Sequence, residues 1–337
     1  MGEFEVDRAT VRDAIALATR APSVHNSQPW RWLIGPASVH LMADRTRRLA
    51  ETDPDGRDLL ISCGAALHHA RVAFAALGYG TVVHRIPNPA VPDHLASVEF
   101  RPVEPSIEDI KAADAITRRR TDRRRFSSWP VQAEHLDLLV RRAAGEGTIA
   151  FPVTDPTARA HLAAAIESAA QAQERDPRYR SEMDLWSGRS WSTDEGVPAA
   201  NAPSGEERHG DTRMRTFAVG SLDRAPVRRG EVDAAELVVV ATSGDDPLSR
   251  LRAGEAVSAV LLAATELGLA TCPLSQPLEV MATRHLVRDV VLGGAAVPQL
   301  VVRVGWAPVA AAPLPESPRR AVADVCAPLD QAWPRRG

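Results

Sequence analysis

The sequence of 337 residues predicts an α+β protein built from two copies of one unit. Two observations carry that expectation. First, "DLLISCGAALHHARVAFAALGYGTVV" from Asp58 to Val83 and "SRLRAGEAVSAVLLAATELGLATCP" from Ser249 to Pro273 are both apolar at helical spacing, and Gly78 and Gly268 stop them. At an offset of 190 positions, Gly64/Gly254, Ala66/Ala256, Ala73/Ala263, Leu77/Leu267, Gly78/Gly268 and Thr81/Thr271 are identical. Second, a strand pattern follows each helix at a distance, "HLASVEFRPV" at 94–103 and "PQLVVRVGWAP" at 298–308. Alanine-rich helices resemble one another by chance, so helix and strand recurring together are what argue for duplication.

In chain order, residues 6–20 place Val11, Ile15 and Ala18 at helical spacing behind a capping Asp7, and Pro22 limits the helix. The run "RAPSVHNSQPWRW", Arg20 to Trp32, has turn-forming composition. "WRWLIGPASVHLMAD" then reads as a hairpin around Gly35-Pro36, anchored by Trp30. The first long helix should bury a face of Leu67, Ala70, Phe74 and Leu77; the second, one of Val257, Val260, Ala264 and Leu267. "RPVEPSIEDIKAADA" carries prolines and charges and suggests a division into halves 1–112 and 113–330. "AELVVVATSG" at 235–244 is a continuous apolar run, as expected of a central strand. Between 187 and 233 periodicity fails, which predicts a lid over a site or a disordered insert.

Net charge is −3, with both signs interspersed, so no cationic field exists of the kind that drives nucleic-acid binding. The chain has a single lysine, Lys111, so anion binding falls to arginine. Cys63, Cys272 and Cys326 form no C-x-x-C and no zinc spacing, which fits a reduced, cytoplasmic setting. The N-terminus carries acids and no apolar leader segment, and no run approaches about 18 apolar residues, so neither export nor a membrane span is expected.

The densest charge cluster is "RRRTDRRRF", Arg118 to Phe126. A solvated basic face is its plain reading. In an extended segment, however, Arg119, Thr121 and Arg123 alternate and project to one side, and two guanidiniums with a hydroxyl can clamp one phosphate group. P-loop, G-x-G-x-x-G, H-E-x-x-H, G-x-S-x-G and EF-hand patterns are absent. Ser23 and His25 lack an orienting acid for hydrolysis. His68 and His69 on a helix fit packing, as does Cys272. Met183, Trp186 and Trp191 either pack or cap an apolar ligand.

The run "APSVHNSQPW" resembles the flavin-contacting loop of the nitroreductase superfamily, and "RRTDR" resembles its phosphate-binding signature. "AGEAVSAVLLAATELGLATCPL", "LVVRVGWAP" and "PRRAVADV" are similar to its central helix and C-terminal segment. With "TDPDGRDLLISCGAAL" and "YRSEMDLWSG", the order of segments resembles the Acg family of actinobacteria over nearly the whole chain. The resemblance implies a nitroreductase-like α+β fold with FMN as cofactor. Nitroreductases ordinarily form homodimers with a flavin at each of two interface sites, and here one chain would imitate the dimer. Loop and clamp each occur once, the loop in the first half and the clamp in the second, so one FMN per monomer is expected.

Carried over by the resemblance, Arg119, Thr121, Arg123 and Arg319 would hold the phosphate. Pro22, Ser23 and Asn26 would meet the ring from the other half, and Pro273, Leu274 and Ser275 would lie beside it. Because hydride chemistry belongs to the cofactor, no catalytic side chain is implied. Two functions stay open. One is flavin sequestration or storage in a hypoxic or nitrosative stress response; the other is NAD(P)H-dependent reduction of a small aromatic nitro or quinone acceptor.

Overall fold

The computed structural model describes residues 6–189, 194–223, 232–309 and 311–330. Helix α1 (Arg8–Ala18) starts at Asp7, whose carboxylate accepts from the amides of Ala9 and Thr10 at 3.0 Å. The expected hairpin follows as β1 (Trp30–Ile34) and β2 (Ser38–Ala43), with Trp30 and Trp32 fully buried. Then come α2 (Arg57–Ala76), β3 (Tyr79–Arg85) and β4 (His94–Pro102). Gly78, at φ 92°, ends the α2 turn in a conformation that favours glycine.

Helix α3 (Ile107–Arg118) runs through position 112/113, where the sequence suggested a division. The Pro- and charge-bearing stretch is a capped helix: Ser106 and Asp109 bond each other's backbone at 3.1 and 2.9 Å, and Ala115 and Ile116 are buried against Leu262. Its charges are the outer face of that helix.

After α3 the pattern recurs with α4 (Ala133–Gly145) and β5 (Ile149–Pro152). An insertion then carries α5 (Pro156–Arg175), α6 (Pro177–Trp186), the parallel pair β6 (Ser187–Arg189) with β7 (Val197–Pro198), and the antiparallel pair β8 (Arg208–His209) with β9 (Thr212–Arg213). The repeat resumes with β10 (Glu236–Thr242), α7 (Pro247–Glu266) and β11 (Ala270–Leu274). After the short helices α8 (Gln276–Glu279) and α9 (Met281–Leu286), β12 (Val297–Gly305) completes it. The chain ends its described course in α10 (Val322–Val325) and β13 (Cys326–Pro328).

Besides the two-stranded pairs of the insertion, two larger sheets form, ordered β13-β1-β2-β4-β3 and β11-β12-β10-β5. Leaving out β13, β1-β2-β4-β3 and β5-β10-β12-β11 have the same order, and every one of these pairings is antiparallel. β10 is interior and buried, as its apolar run requires. β13 pairs in parallel with β1, with Trp32 opposite Cys326, so the C-terminal segment returns to the sheet of the first unit. No part of the strand pattern foretold that return.

Helices α2 and α7 cross at the centre of the molecule. A Cβ on Gly64 would stand 2.0 Å from the Leu251 carbonyl oxygen, and one on Gly254 would stand 2.0 Å from that of Ile61. Since Gly64/Gly254 and Ile61/Leu251 are pairs at the 190 offset, the crossing is close to two-fold symmetric. His68 Nδ1 meets Ser258 Oγ, its own counterpart, at 2.8 Å. The amphipathic reading of α2 needs correction: nearly every residue from Arg57 to Ala70 is buried, whereas Leu77 is 41% exposed. Packed by α1, α3 and α7, α2 has little face left for water. By length and composition α2 would also suit a membrane span, contrary to the sequence expectation, but here it is a core helix.

Candidate functional site

The loop between α1 and β1 is held in a conformation that few residues adopt. His25, Asn26 and Gln28 have φ of 49°, 56° and 50°, the left-handed region normally left to glycine. Such strain persists where surroundings enforce it, and it gathers at functional sites. Ser23 Oγ accepts from the Gln28 amide at 3.0 Å, and Ser62 Oγ on α2 accepts from the Val24 amide at 3.2 Å. Gln28 Oε1 accepts from the Arg320 amide at 2.9 Å. Ser23 therefore acts as a loop brace, which removes the hydrolase reading.

The clamp segment follows α3. The Asp122 amide donates to the Thr271 carbonyl at 2.8 Å and Thr121 bridges Thr271, which fixes the segment against β11. Alternation then works largely as expected. Asp122 and Arg124 turn away and pair with each other at 2.8 Å, while Arg119, Thr121 and Arg123 line a polar cavity. Arg120 also faces it, bonded to Glu316 at 2.7 Å, so the alternation is not strict.

Two cavities meet at this place. One is apolar, about 860 Å³ including its open mouth, and its walls include Pro273, Leu274 and Ser275 from the second unit and Ile61 and Ala65 from α2. The other is polar, about 650 Å³ by the same measure, and its walls include Asn26, Arg119 and Arg319. Pro22, Ser23, Thr121 and Arg123 line both, so the two are ends of one compartment. All ten residues singled out in the sequence face it.

The polar end carries an excess of positive charge. Arg20, Arg119, Arg120, Arg123 and Arg319 line it with Glu316 as the one acid among its described walls. Burial, followed by the charge of Arg120, pushes Arg119 down to about 10; burial, followed by Arg119, pushes Arg319 down to about 9. Arg119 Nε and Nη1, Arg319 Nε and Asn26 Oδ1 are buried without a hydrogen-bond partner. The unpaired guanidinium donors among like charges are costly, and a phosphate would relieve both of those faults at once, whereas Asn26 Oδ1 is an acceptor and would need a donor from a ligand.

The insertion covers the compartment. Asn26 Nδ2 donates to the Gly196 carbonyl at 3.0 Å, Gln28 Nε2 donates to that of Asp194 at 2.7 Å, and Arg47 pairs with Glu195. Arg123 Nη1 donates to the Asn201 carbonyl at 2.9 Å and lies 5.0 Å from the Phe217 ring. Met214, Arg215 and Phe217 form part of the apolar wall. Arg215 is bonded to Tyr179 and to Glu279, the latter at 2.5 Å. Met183 packs with Tyr179, Val197, Ala202 and Phe217 beneath this cover, and Trp186 lies under Arg47; Trp191 falls outside the described residues.

A family model described as the nitroreductase family matches residues 116–306. A Mycobacterium tuberculosis protein named "Putative NAD(P)H nitroreductase acg" is 40% identical over 327 residues, 96% of this chain and 97% of that one. The chain belongs to the nitroreductase family. A second nitroreductase-named protein of that organism is 44% identical over 319 residues, covering 95% of this chain and 91% of its own. Among solved structures, a protein described as a "putative nitroreductase" from Anabaena variabilis matches 90% of both chains at 10% identity and TM-score 0.46. An FMN-bound nitroreductase of Bacteroides fragilis matches 60% of this chain and 90% of its own at 17% identity and TM-score 0.37.

Within this member of the family, sequence reasoning missed several walls of the compartment. His25 is fully buried and held neutral, by burial first and then by Arg215 and Arg123. Asp58, on the first turn of α2, lines the apolar end with its carboxyl pushed up to about 7, chiefly by burial. Asn201 and Arg215 belong to the insertion, where no periodicity marks a residue as inward-facing. Their signal was only the failure of pattern over a long segment.

Proposed function

We propose that the compartment holds one FMN between the two units and that the insertion closes over it, so that the protein retains flavin with little turnover. The arginine-lined end carries this reading: its orphaned donors match a phosphate monoester, and the adjoining apolar end matches a planar ring. Arg119, Arg123 and Arg319 would hold the phosphate with Thr121. Pro22, Ser23 and Asn26 from the first unit and Pro273, Leu274 and Ser275 from the second would enclose the ring. When bound, FMN supplies the electron-transfer chemistry that no side chain here provides. The residues' own task is to orient the ligand, exclude water and hold the cover in place through Asn26, Gln28 and Arg123.

In this reading the chain is a monomer that imitates a homodimer, and flavin sequestration or storage under stress is its role. A second reading is favoured by the relatives' names: NAD(P)H-dependent reduction of a nitro or quinone compound, with the cover opening to admit donor and acceptor. Anaerobic mixing of the FMN-loaded protein with NADH or NADPH separates the two. Retention predicts that dithionite bleaches the flavin while the nicotinamides do so only slowly. Rapid bleaching by either nucleotide would overturn retention in favour of the reductase, and a protein that ignores added FMN would overturn both.

A further inference from the structure

The 190 offset that pairs α2 with α7 also names the place where a second compartment would lie. Helix α7 spans the residues of α2 displaced by 190, and the Gly64/Gly254 crossing and the His68–Ser258 bond lie on the same pseudo-axis. The walls that α2 and β11 give the intact compartment therefore have counterparts on α7 and β3. Ala65, on the apolar wall, corresponds to Glu255; Ser275 corresponds to Arg85; Ser62 corresponds to Arg252. The loop at residues 19–29 corresponds to the short connection 146–148 between α4 and β5.

These counterparts converge. Arg85 grips Glu255 with Nε at 2.6 Å and Nη2 at 2.8 Å. Arg71 Nη1 lies 2.8 Å from Glu255 and 2.6 Å from Glu146, and His68 Nε2 lies 3.7 Å from Glu146. A Cβ on Gly147 would stand 3.3 Å from Arg252 Nη1, so that arginine also borders the cluster. The Glu255 side chain is 0% exposed. Small residues that leave room in one compartment are thus replaced, at matched positions, by long ones that fill the other.

We propose that the second, symmetry-related ligand position persists in the fold as a masked cavity for a planar aromatic ring, plugged by the Glu255–Arg85–Arg71–Glu146 ion cluster, which makes the chain single-site and joins its halves. Its position follows from the pseudo-symmetry, while the choice of a flavin ring rests on the proposed function. The Arg119 and Arg123 clamp serves the intact compartment, so the masked cavity is assigned to a flavin ring without a phosphate. Removing one partner of a buried ion pair leaves the other charge uncompensated, whereas removing both need not.

The test exchanges the plug for the residues of the working half, in the double variant Glu255→Ala, Arg85→Ser. Lumiflavin is titrated into FMN-saturated parent and variant, and uptake per chain is followed by fluorescence quenching. The variant is expected to bind one more equivalent than the parent; an equal count in a folded variant overturns the proposal. Because the readout is the increment, it stands apart from whether the parent holds FMN. In addition, Glu255→Ala alone is expected to lower the thermal midpoint further than the double variant, and a double variant less stable than both singles would contradict the lock. Should the double variant fail to fold, Arg85→Ser alone still has Arg71 to neutralise Glu255 and opens the half-exposed side of the same volume. Weak lumiflavin uptake above the parent level is then expected, and none would overturn the proposal.

Discussion

Arg119 carries the energetic logic of the clamp at the scale of one residue. Its guanidinium is buried beside Arg120 and Arg20, two of its nitrogens have no partner within the protein, and an anion would satisfy them. A charge-assisted bond lost from such a site costs about 2 kcal/mol, roughly thirtyfold in affinity. Arg119→Ala is therefore expected to weaken FMN by about that factor and to leave riboflavin, which lacks the phosphate, nearly unaffected; equal losses for both ligands would remove Arg119 from a phosphate role. Asp58 makes a pH prediction. Burial raises its folded value to about 7 from an ordinary 3.8, so the folded state binds the extra proton between those values. Stability from this group is present at low pH and falls as pH rises through that window, because ionising the buried carboxyl is penalised. Asp58→Asn should then gain thermal stability over the parent at pH 8 and gain least at pH 4, and a pH-independent difference would contradict the shifted carboxyl. Arg119, Thr121 and Arg123 are legible in sequence because alternation largely sets their facing, although Arg120 breaks it. Asp58 is not, since its raised carboxyl comes first from burial in the folded core, and of the charges that act on it Glu279 and Arg215 lie far along the chain.

Among the elements, the α2 and α7 helices are the most legible, because a repeated pattern with glycine stops needs no tertiary information. Their surroundings are less so. A helix clad on most sides loses the polar face by which amphipathicity is judged, and α2 was read as one-sided for that reason. Helix α3 hides its cap within a charged stretch, and β13 joins a sheet whose other strands lie more than 200 residues earlier. The central crossing yields a direct prediction. A methyl on Gly64 would meet the Leu251 carbonyl at 2.0 Å, so the helices must part. Overpacking of this kind costs about 1–3 kcal/mol or more, and Gly64→Ala should lower the urea midpoint accordingly. Gly145→Ala, at the end of α4 where a Cβ would meet nothing within 4 Å, serves as the control and should be neutral or stabilising. Matching midpoints for the two variants would contradict the close crossing.

For the whole molecule, duplication explains both what is present and what is missing. Two units with the same sheet order face each other across α2 and α7, and the loop of the first unit meets the clamp of the second in one compartment. At the mirror position, the connection 146–148 is too short to form such a loop, and the Glu255 cluster fills the space. In the proposed reading one chain completes the site without a partner copy. The most direct measurement is the ratio of flavin to chain, from absorbance of the FMN-saturated protein, taken with its molar mass by light scattering. The account predicts one FMN per chain on a particle of about 36.3 kDa. Two flavins per chain, or a flavin bound only by a dimer, would contradict it.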